Sequence, residues 1–506
     1  MQIKNFTPRE YQKNILNTCK EKNTLVCIPT GLGKTKIAIM LAAERLSNYP
    51  QSKIIVMTPT RPLANQIANE FKDCLEIGNQ DVVLLTGTIS PNKRTSHYEN
   101  SKIIVATPQT ISEDIQNNRI SLENISLLVI DESHRSRQRF ANTIVSKNYL
   151  EKSVNPKILA LTASPGSTKA KIDEICTNLG IEAVEIRSEE DEDLKEHVQK
   201  KEIQYVEIEF PEEFKKIHSL IKEVYKERLE KLKGFGLSKP ASVISKRDLI
   251  FFQQYMQNEI RKNNRAAFYG ISLVAQLLKL SYMLETIETQ GLKSLNDFMK
   301  KLASETSKAA KTILAEPNII KAKEETEKLL NNNIEHPKFN KLLDIIKKEL
   351  EENNNLRIII FATYRNTVDN IFNLLNSNRI RATRLVGQKE GLTQKEQIET
   401  IEKFNDGIYS CLITTSIGEE GLSIKEADVA IFYDNTPSSI RKIQRAGRVG
   451  RIKSGKVIFL VTKGTMDAAY YWKSRKDEAR MKGILYRMKE KGTAKKETKQ
   501  KELNKF

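Results

Sequence analysis

Two short stretches hold side chains suited to work on a phosphate. The first is Ile28-Pro29-Thr30-Gly31-Leu32-Gly33-Lys34-Thr35, preceded by the apolar run 24–28 and followed by the helix-forming run 36–45. Its glycines let the backbone curl so that N–H groups point inward, and the helix N-terminus adds a partial positive charge. Lys34 can then reach the β- and γ-phosphates of a nucleotide, and the Thr35 hydroxyl can hold Mg²⁺. Ile28 occupies the first glycine of the strict Gly-x-x-x-x-Gly-Lys-Thr pattern, so on this stretch alone a Gly-rich turn with an incidental lysine stays open. The second stretch is Asp131-Glu132-Ser133-His134, directly after the apolar run 127–130. Carboxylates there emerge at the C-terminal edge of a sheet, where ligands bind in α/β folds. Asp131 suits a metal ion, and Glu132 suits a general base or water-positioner. In isolation the same residues read as an acidic helix start.

Both loops need a parallel sheet to present them. From Thr24 to about Arg187, β-branched runs at 53–57, 81–85, 102–106, 127–130 and 157–161 alternate with helical stretches. Continuous apolar strands separated by helices predict a sheet covered on both faces. The acidic cluster 189–193 reads as a solvated connection. From about Pro211 to Leu330 the period turns helical, with 22 Lys/Arg against 15 Asp/Glu. The alternating pattern resumes at 356–362 and continues through 381–386, 410–414, 428–433 and 456–461. After Thr462 the chain reads as helical and strongly basic, and its last dozen residues as a disordered polycationic tail. The expected fold is therefore α/β: two tandem parallel-sheet domains at 1–190 and 336–470, an all-helical insert at 191–335 and a basic, partly disordered tail at 471–506.

Composition narrows the partner. A net charge of +19 over 506 residues points to a polyanion. The five cysteines, Cys19, Cys27, Cys74, Cys176 and Cys411, are scattered, so neither disulfides nor a zinc site is expected. No run approaches the roughly 18 apolar residues of a membrane span, and the N-terminus lacks the apolar core of a signal peptide. A cytoplasmic, nucleoid-associated protein is expected, with no membrane partner.

Taken in order, Ile28 to Thr35, Asp131 to His134, Thr162-Ala163-Ser164 and Gln444-Arg445-Ala446-Gly447-Arg448-Val449-Gly450-Arg451 resemble motifs I, II, III and VI of superfamily-2 helicases. The resemblance implies two RecA-like domains with ATP and Mg²⁺ in the cleft between them. Arg448 and Arg451 match the arginine fingers that meet the γ-phosphate from the second domain. Gln12, with Arg9, matches the residues that read adenine, and Pro29 to Thr35 with Gly421 match the nucleotide cradle. His134, Thr162, Ser164 and Gln444 correspond to residues linking the ATP site to strand movement. Thr58-Pro59-Thr60-Arg61, Thr86-Gly87 and Thr107 to Thr110 match motifs Ia to Ic, and hydroxyls, N–H groups and an arginine suit phosphate contact without base reading. Thr363, Arg365, Thr414 and Thr415 fall at comparable positions in the second domain.

A finer resemblance is to the archaeal Hef helicase and the Fanconi-anaemia M-type translocases. It rests on Ala160-Leu-Thr-Ala-Ser-Pro-Gly166, Val386-Gly-Gln with Gly391-Leu-Thr-Gln-Lys-Glu-Gln397, and Thr415-Ser-Ile-Gly-Glu-Glu-Gly-Leu422 with Phe432-Tyr-Asp434. It spans Phe6 to about Tyr471, insert included. It implies 3′–5′ translocation on forks and Holliday-type junctions, with the insert contacting branched DNA like a thumb. In the insert, Lys231, Lys233, Lys246, Arg247, Arg261, Lys262 and Arg265 lie among Phe251, Phe252, Tyr255, Phe268 and Tyr269, a mix that can hold phosphates and stack bases. Each ring taken singly reads as bundle core.

The chain departs from its relatives in four ways. Ser133 stands for a common alanine, Ser423 for a frequent aspartate, and Ala446 for a cation. Only 35 residues follow Tyr471, so the nuclease half of many Hef-like proteins is not expected in this chain. Two rival readings remain: a double-stranded-RNA-stimulated ATPase, since the motor grips one strand's backbone, and a non-catalytic junction clamp that recruits a nuclease or repair partner.

Overall fold

The computed structural model describes residues 2–137, 140–196, 201–239, 244–332, 334–387, 393–415, 427–436, 438, 445 and 455–491. Two parallel sheets organise them. The first comprises β1 (Thr24–Cys27), β2 (Lys53–Met57), β3 (Val82–Leu85), β4 (Ile103–Ala106), β5 (Ile125–Ile130), β6 (Ile158–Thr162) and β7 (Ala183–Ile186), in the order β3-β4-β2-β5-β6-β1-β7. β1, β4, β5 and β6 are buried at every position, which is why they are continuously apolar and not alternating. One face packs on helices Glu10–Glu21, Lys34–Asn48 and Arg61–Cys74 through Tyr11, Ile37 and Phe71. The other packs on Pro108–Gln116, Ala141–Lys152 and Lys169–Leu179 through Ile111, Tyr149 and Ile172. β6 lies between β1 and β5, so the loops leaving these three strands open side by side at one sheet edge.

The second sheet comprises β8 (Lys201–Ile208), β9 (Ile358–Phe361), β10 (Ala382–Leu385), β11 (Cys411–Thr414), β12 (Val429–Phe432) and β13 (Gly455–Thr462), in the order β10-β11-β9-β12-β13-β8. β8 corrects the expected boundary: it lies within 191–335, yet runs parallel to β13 as the sheet's terminal strand. The helices are therefore inserted between two strands of the second domain. Their bundle is formed by Glu212–Lys233, Lys246–Arg261, Ala266–Thr289, Leu292–Ser304, Lys308–Leu314 and Pro317–Asn331. Its root is polar: the buried Glu288 carboxylate accepts Met466 N–H at 2.7 Å and lies 2.7 Å from His218 Nε2.

Two further expectations need correction. Helix Ala266–Thr289 is, by length and composition, apolar enough to cross a membrane. Its apolar side is spent inside the bundle, with Leu273, Val274, Leu277, Leu280, Met283 and Ile287 all buried. Residues 471–491, assigned to the tail, belong to the helix Met466–Lys491, which leaves the second sheet and docks on the first domain. Met481, Leu485 and Met488 complete the core beside Val184 and Ile186 of β7. Tyr486 Oη donates to Asp191, with its two carboxylate oxygens at 2.8 and 2.7 Å. A surplus of lysines conceals this i, i+4, i+7 stripe when charge alone is weighed. Residues 492–506 lie outside the described part.

Candidate functional site

The loop after β1 curls because Gly31 and Gly33 adopt φ of +86° and +73°, a region that costs glycine little. At Gly33 a Cβ would also stand 2.5 Å from Gln12 Nε2, so a substitution there would have to displace the Gln12 amide. Gln12 is buried, accepts Arg9 N–H at 3.0 Å through Oε1 and donates to Gly33 O at 3.5 Å. Beside it Tyr11 Oη donates to Leu32 O at 2.7 Å. Arg9 and Gln12 thus stand against the glycine loop, with Pro29, Thr30 and Thr35 partly open to solvent around it. Lys34 Nζ donates to the loop carbonyls of Ile28 and Pro29, at 3.2 and 3.4 Å.

Across β6, Asp131 leaves β5 with its N–H bonded to Met57 O at 2.9 Å. Burial, and then the neighbouring Glu132 charge, push its carboxyl up to about 7, opposed by the Lys34 ammonium. The hydroxyl of Thr35 and the carboxylate of Asp131 are hard oxygen donors of the kind Mg²⁺ takes. A cation there would favour the charged form of Asp131, so these residues fit the ion. Glu132 sits at φ +49°, a left-handed conformation strained for a side-chain-bearing residue and typical of functional turns. Its buried Oε2 accepts no hydrogen bond, although His134 Nδ1 stands 3.3 Å away. His134 Nδ1 also lies 3.4 Å from Thr162 Oγ1, which accepts Ser164 N–H at 3.1 Å. Ser164 Oγ in turn meets Met481 Sδ of the C-terminal helix at 2.9 Å. The carboxylate loop is thereby linked to the loop after β6, and that loop to the helix arriving from the second domain. Ser133 is buried, with an Oγ that finds no partner.

β3, β4 and β2 are neighbours, so the stretches after them form one row. Arg61 is exposed, its Nη2 lying 3.5 Å from where a Cβ on Gly87 would be. Thr86 Oγ1 pairs with Thr88 Oγ1 at 2.8 Å, and Thr107 Oγ1 with Thr110 Oγ1 at 2.9 Å. Thr58 is fully buried, while Pro59 and Thr107 are half-buried. In the second domain Thr363 binds the Asp434 carboxylate through N–H, at 2.7 and 3.0 Å, and through Oγ1, at 2.6 Å. Arg365 and Thr415 are half-open, whereas Thr414 is buried with its hydroxyl given to Leu385 O at 3.1 Å. Gly421, Gln444, Arg448 and Arg451 lie outside the described residues.

The structure adds residues that sequence patterns missed. Arg94 and Asp114 form a buried bidentate pair, both contacts 2.7 Å, joined by Tyr98 Oη at 2.6 Å and Arg119 Nη1 at 3.0 Å. Arg94 also donates to Ile89 O at 2.8 Å, so this cluster ties the Thr86–Gly87 loop to the helix that begins beside Thr107. In the second domain Tyr364 Oη donates to Glu285 Oε1 of the bundle at 2.6 Å, and Lys246 pairs with the same carboxylate. A charge set into the buried face of an amphipathic helix, as Asp114 is beside Ile111 and Ile115, was the available signal. On the bundle, Phe252 is core, but Phe251, Tyr255, Phe268 and Tyr269 are each at least half exposed, against the expectation for single rings. Helix Lys246–Arg261 buries Leu249, Phe252 and Met256, and presents Arg247, Phe251, Gln254 and Tyr255 on a second face.

Comparison with known proteins follows the same division. The family described as DEAD/DEAH box helicase matches residues 9–172, the helicase conserved C-terminal domain matches 337–453, and a family described as an ATP-dependent RNA helicase helical bundle matches 213–334. A Methanocaldococcus jannaschii protein described as an ATP-dependent RNA helicase is 41% identical, over 96% of this chain and 61% of that protein. An ATP-dependent DNA helicase of Pyricularia oryzae is 32% identical, over 91% of this chain and 44% of that protein. This chain therefore spans less than two thirds of these curated relatives, 61% of one and 44% of the other. The crystal structure of the Pyrococcus furiosus Hef helicase domain aligns with a TM-score of 0.73 at 40% identity, covering 92% of this chain and 98% of that one.

Proposed function

Since the chain belongs to the superfamily-2 helicases, in the group that includes the Hef and Fanconi-anaemia M-type enzymes, we propose that it is an ATP-driven DNA translocase that remodels forks and Holliday-type junctions, moving 3′ to 5′. The observation that carries the DNA-branch reading is the second face of helix Lys246–Arg261. There Arg247, Phe251 and Tyr255 stand in water with Phe268 and Tyr269 nearby, while Tyr364 and Glu285 fasten the bundle to the motor. Exposed rings among cations suit unpaired bases at a branch.

In the proposed cycle, Gln12 and Arg9 orient the base, and the loop from Pro29 to Thr35 wraps the phosphates. Lys34 exchanges its loop carbonyls for phosphate oxygens. Thr35 and Asp131 would hold Mg²⁺, which would supply charge neutralisation at the phosphates. Glu132 accepts a proton from the attacking water as the bond from the γ-phosphorus to the departing ADP oxygen breaks. Arg448 and Arg451, with Gln444, would complete the site from the second domain, so hydrolysis follows domain closure. His134, Thr162 and Ser164 pass that closure to Thr86, Thr107, Thr363 and their neighbours on the nucleic-acid backbone. A cytoplasmic, nucleoid-associated location and a nuclease or repair partner belong to the same proposal.

The test removes the rings. Phe251→Ala with Tyr255→Ala is expected to lower ATPase stimulation by forks and junctions while leaving stimulation by single strands intact. Equal loss on every DNA would contradict the assigned role. The description of the Methanocaldococcus jannaschii relative keeps RNA as the alternative, and a double-stranded RNA arm in the same assay decides it.

A further inference from the structure

The chain has a single tryptophan, Trp472, and it is 54% exposed. It lies on the first turns of the helix Met466–Lys491. The indole is braced from one side: the Tyr471 ring centroid is 5.2 Å away, nearly perpendicular, and the Tyr205 centroid of β8 is 5.9 Å away. Tyr205 and Tyr471 are themselves 4.9 Å apart, so three rings form one cluster with the indole outermost. The Arg475 guanidinium stands 6.0 Å from the indole centroid. Ile203, on the same face of β8 as Tyr205, is 65% exposed, and Met466 is 46% exposed. Isolated exposed apolar residues mean little, but an aromatic backed by two others and bordered by exposed aliphatics is a patch.

Charge decides what that patch fits. Lys473, Arg475, Lys476 and Arg480 are all exposed on the same helix, with Arg475 and Lys476 three and four residues beyond the tryptophan. The helix carries eight lysines and arginines against four carboxylates, and one of the four, Asp467, is buried against Lys338 and offers nothing to solvent. Glu207 shares the Tyr205 face of β8, 3.3 Å from Tyr205 Oη, and Glu202 lies on the opposite face, so the cationic side of the patch is the helix. A π surface beside a row of cations is the arrangement that binds single-stranded nucleic acid through stacking and phosphate neutralisation. β8 is three strands from β9, so at about 4.8 Å per strand the cluster is roughly 14 Å across the sheet from the Thr363 loop, within the span of a few nucleotides.

We propose that Trp472, with Arg475 and Lys476, forms a second single-strand contact on the outer edge of the second domain, distinct from the row of threonine loops and from the bundle. A base stacks on the exposed indole face while the two cations hold the flanking phosphates. The inference rests on the reading of the chain as a nucleic-acid motor, and it gives that motor a grip at the far edge of its second sheet.

The lone indole reports on its own site. The full chain, free of nucleotide and at low salt, is titrated with an oligothymidylate labelled for anisotropy, and tryptophan emission is followed in an unlabelled parallel titration. Emission is expected to be quenched with the midpoint of the anisotropy curve. Trp472→Ala should weaken single-strand binding roughly 5- to 100-fold, and Trp472→Phe, which keeps a ring, should recover most of it. Arg475→Glu with Lys476→Glu should abolish the quench and lower the salt dependence of what binding remains. Binding by anisotropy with unchanged emission would overturn the proposed contact and leave the motor reading standing. Absence of binding by any DNA or RNA would overturn the motor reading itself. Emission that changes with protein concentration without nucleic acid would assign the patch to self-association, and so against the proposal.

Discussion

Removing the Asp114 carboxylate should do more than weaken one helix contact. Asp114 is fully buried, and it accepts hydrogen bonds from Arg94 Nε and Nη2, from Tyr98 Oη and from Arg119. In Asp114→Ala the Arg94 guanidinium, itself 2% exposed, keeps its bond to Ile89 O and a longer 3.8 Å contact with the exposed Glu113 carboxylate, but loses its buried, close counter-charge. Breaking one half of a buried pair costs about 3–5 kcal/mol, because the remaining charge stays desolvated. Against a domain stability of roughly 5–15 kcal/mol the protein still folds. The Thr86–Gly87 loop and the Thr107 turn should lose their common anchor. The expected result is a drop of that size in urea unfolding of the first domain, faster amide exchange over residues 86–100 and 107–116, and weaker nucleic-acid binding with little change in maximal hydrolysis. Replacing the whole set, with Arg94→Met, Tyr98→Phe and Asp114→Leu together, should return stability to within about 1 kcal/mol of the parent. Arg94, Tyr98 and Arg119 also hold the Asp114 carboxyl below its usual range despite burial. This increment is therefore present above the ordinary aspartate pKa and is lost as pH falls through the lowered value. A cost under about 1 kcal/mol for Asp114→Ala would refute the reasoning, since it would mean that Arg94 reaches water.

Three further outcomes are expected. Ser133→Ala removes a buried hydroxyl that has no partner and should stabilise the first domain by about 1 kcal/mol, raising the thermal midpoint by about 2–4 °C; a lower midpoint would show that the hydroxyl is satisfied. His336 caps the helix Pro337–Glu352 by accepting Lys338 N–H at 3.2 Å, and burial, with the Lys338 charge, lowers its pKa to about 3. The unfolded chain takes up this proton below about pH 6.5 and the folded one does not, so stability falls with pH, by on the order of 2 kcal/mol at pH 5. His336→Asn keeps an acceptor for the cap and should flatten that slope in thermal melts between pH 7 and 5. Tyr364→Phe deletes the 2.6 Å bond to Glu285 and should loosen the bundle by about 1.5–3 kcal/mol. Fork-stimulated hydrolysis should then fall relative to single-strand-stimulated hydrolysis, and an unchanged ratio would remove this joint from the account.

The parts legible in the sequence are those where one physical demand dominates. Strands buried on both faces must be continuously apolar, so β1, β2 and β4 to β6 could be read directly. The turn at Gly31 and Gly33 could be read because positive φ at both, with Gln12 packed close to Gly33, favours glycine. β8 was hidden because a terminal strand with one face half in water spells Lys-Glu-Ile-Gln-Tyr-Val-Glu-Ile, a charged pattern resembling the linker before it. The bundle rings were ambiguous because helix Lys246–Arg261 has two apolar stripes, one turned inward at Leu249, Phe252 and Met256 and one outward. Periodicity finds both and cannot rank them. The Arg94–Asp114 and Tyr364–Glu285 contacts join residues 20 and 79 positions apart, so local pattern can mark Asp114 as buried but cannot name its partner.

On the proposed function, residues 28–35 and 131–134 drive a motor stimulated by branched DNA. Its most direct test is steady-state ATP hydrolysis by the purified chain with equal nucleotide concentrations of forked DNA, four-way junction, linear duplex DNA and double-stranded RNA, alongside Glu132→Gln. The strongest stimulation is expected with forks or junctions, and Glu132→Gln is expected to lose turnover while retaining DNA binding. Greatest stimulation by double-stranded RNA, or equal turnover in Glu132→Gln, would contradict this function.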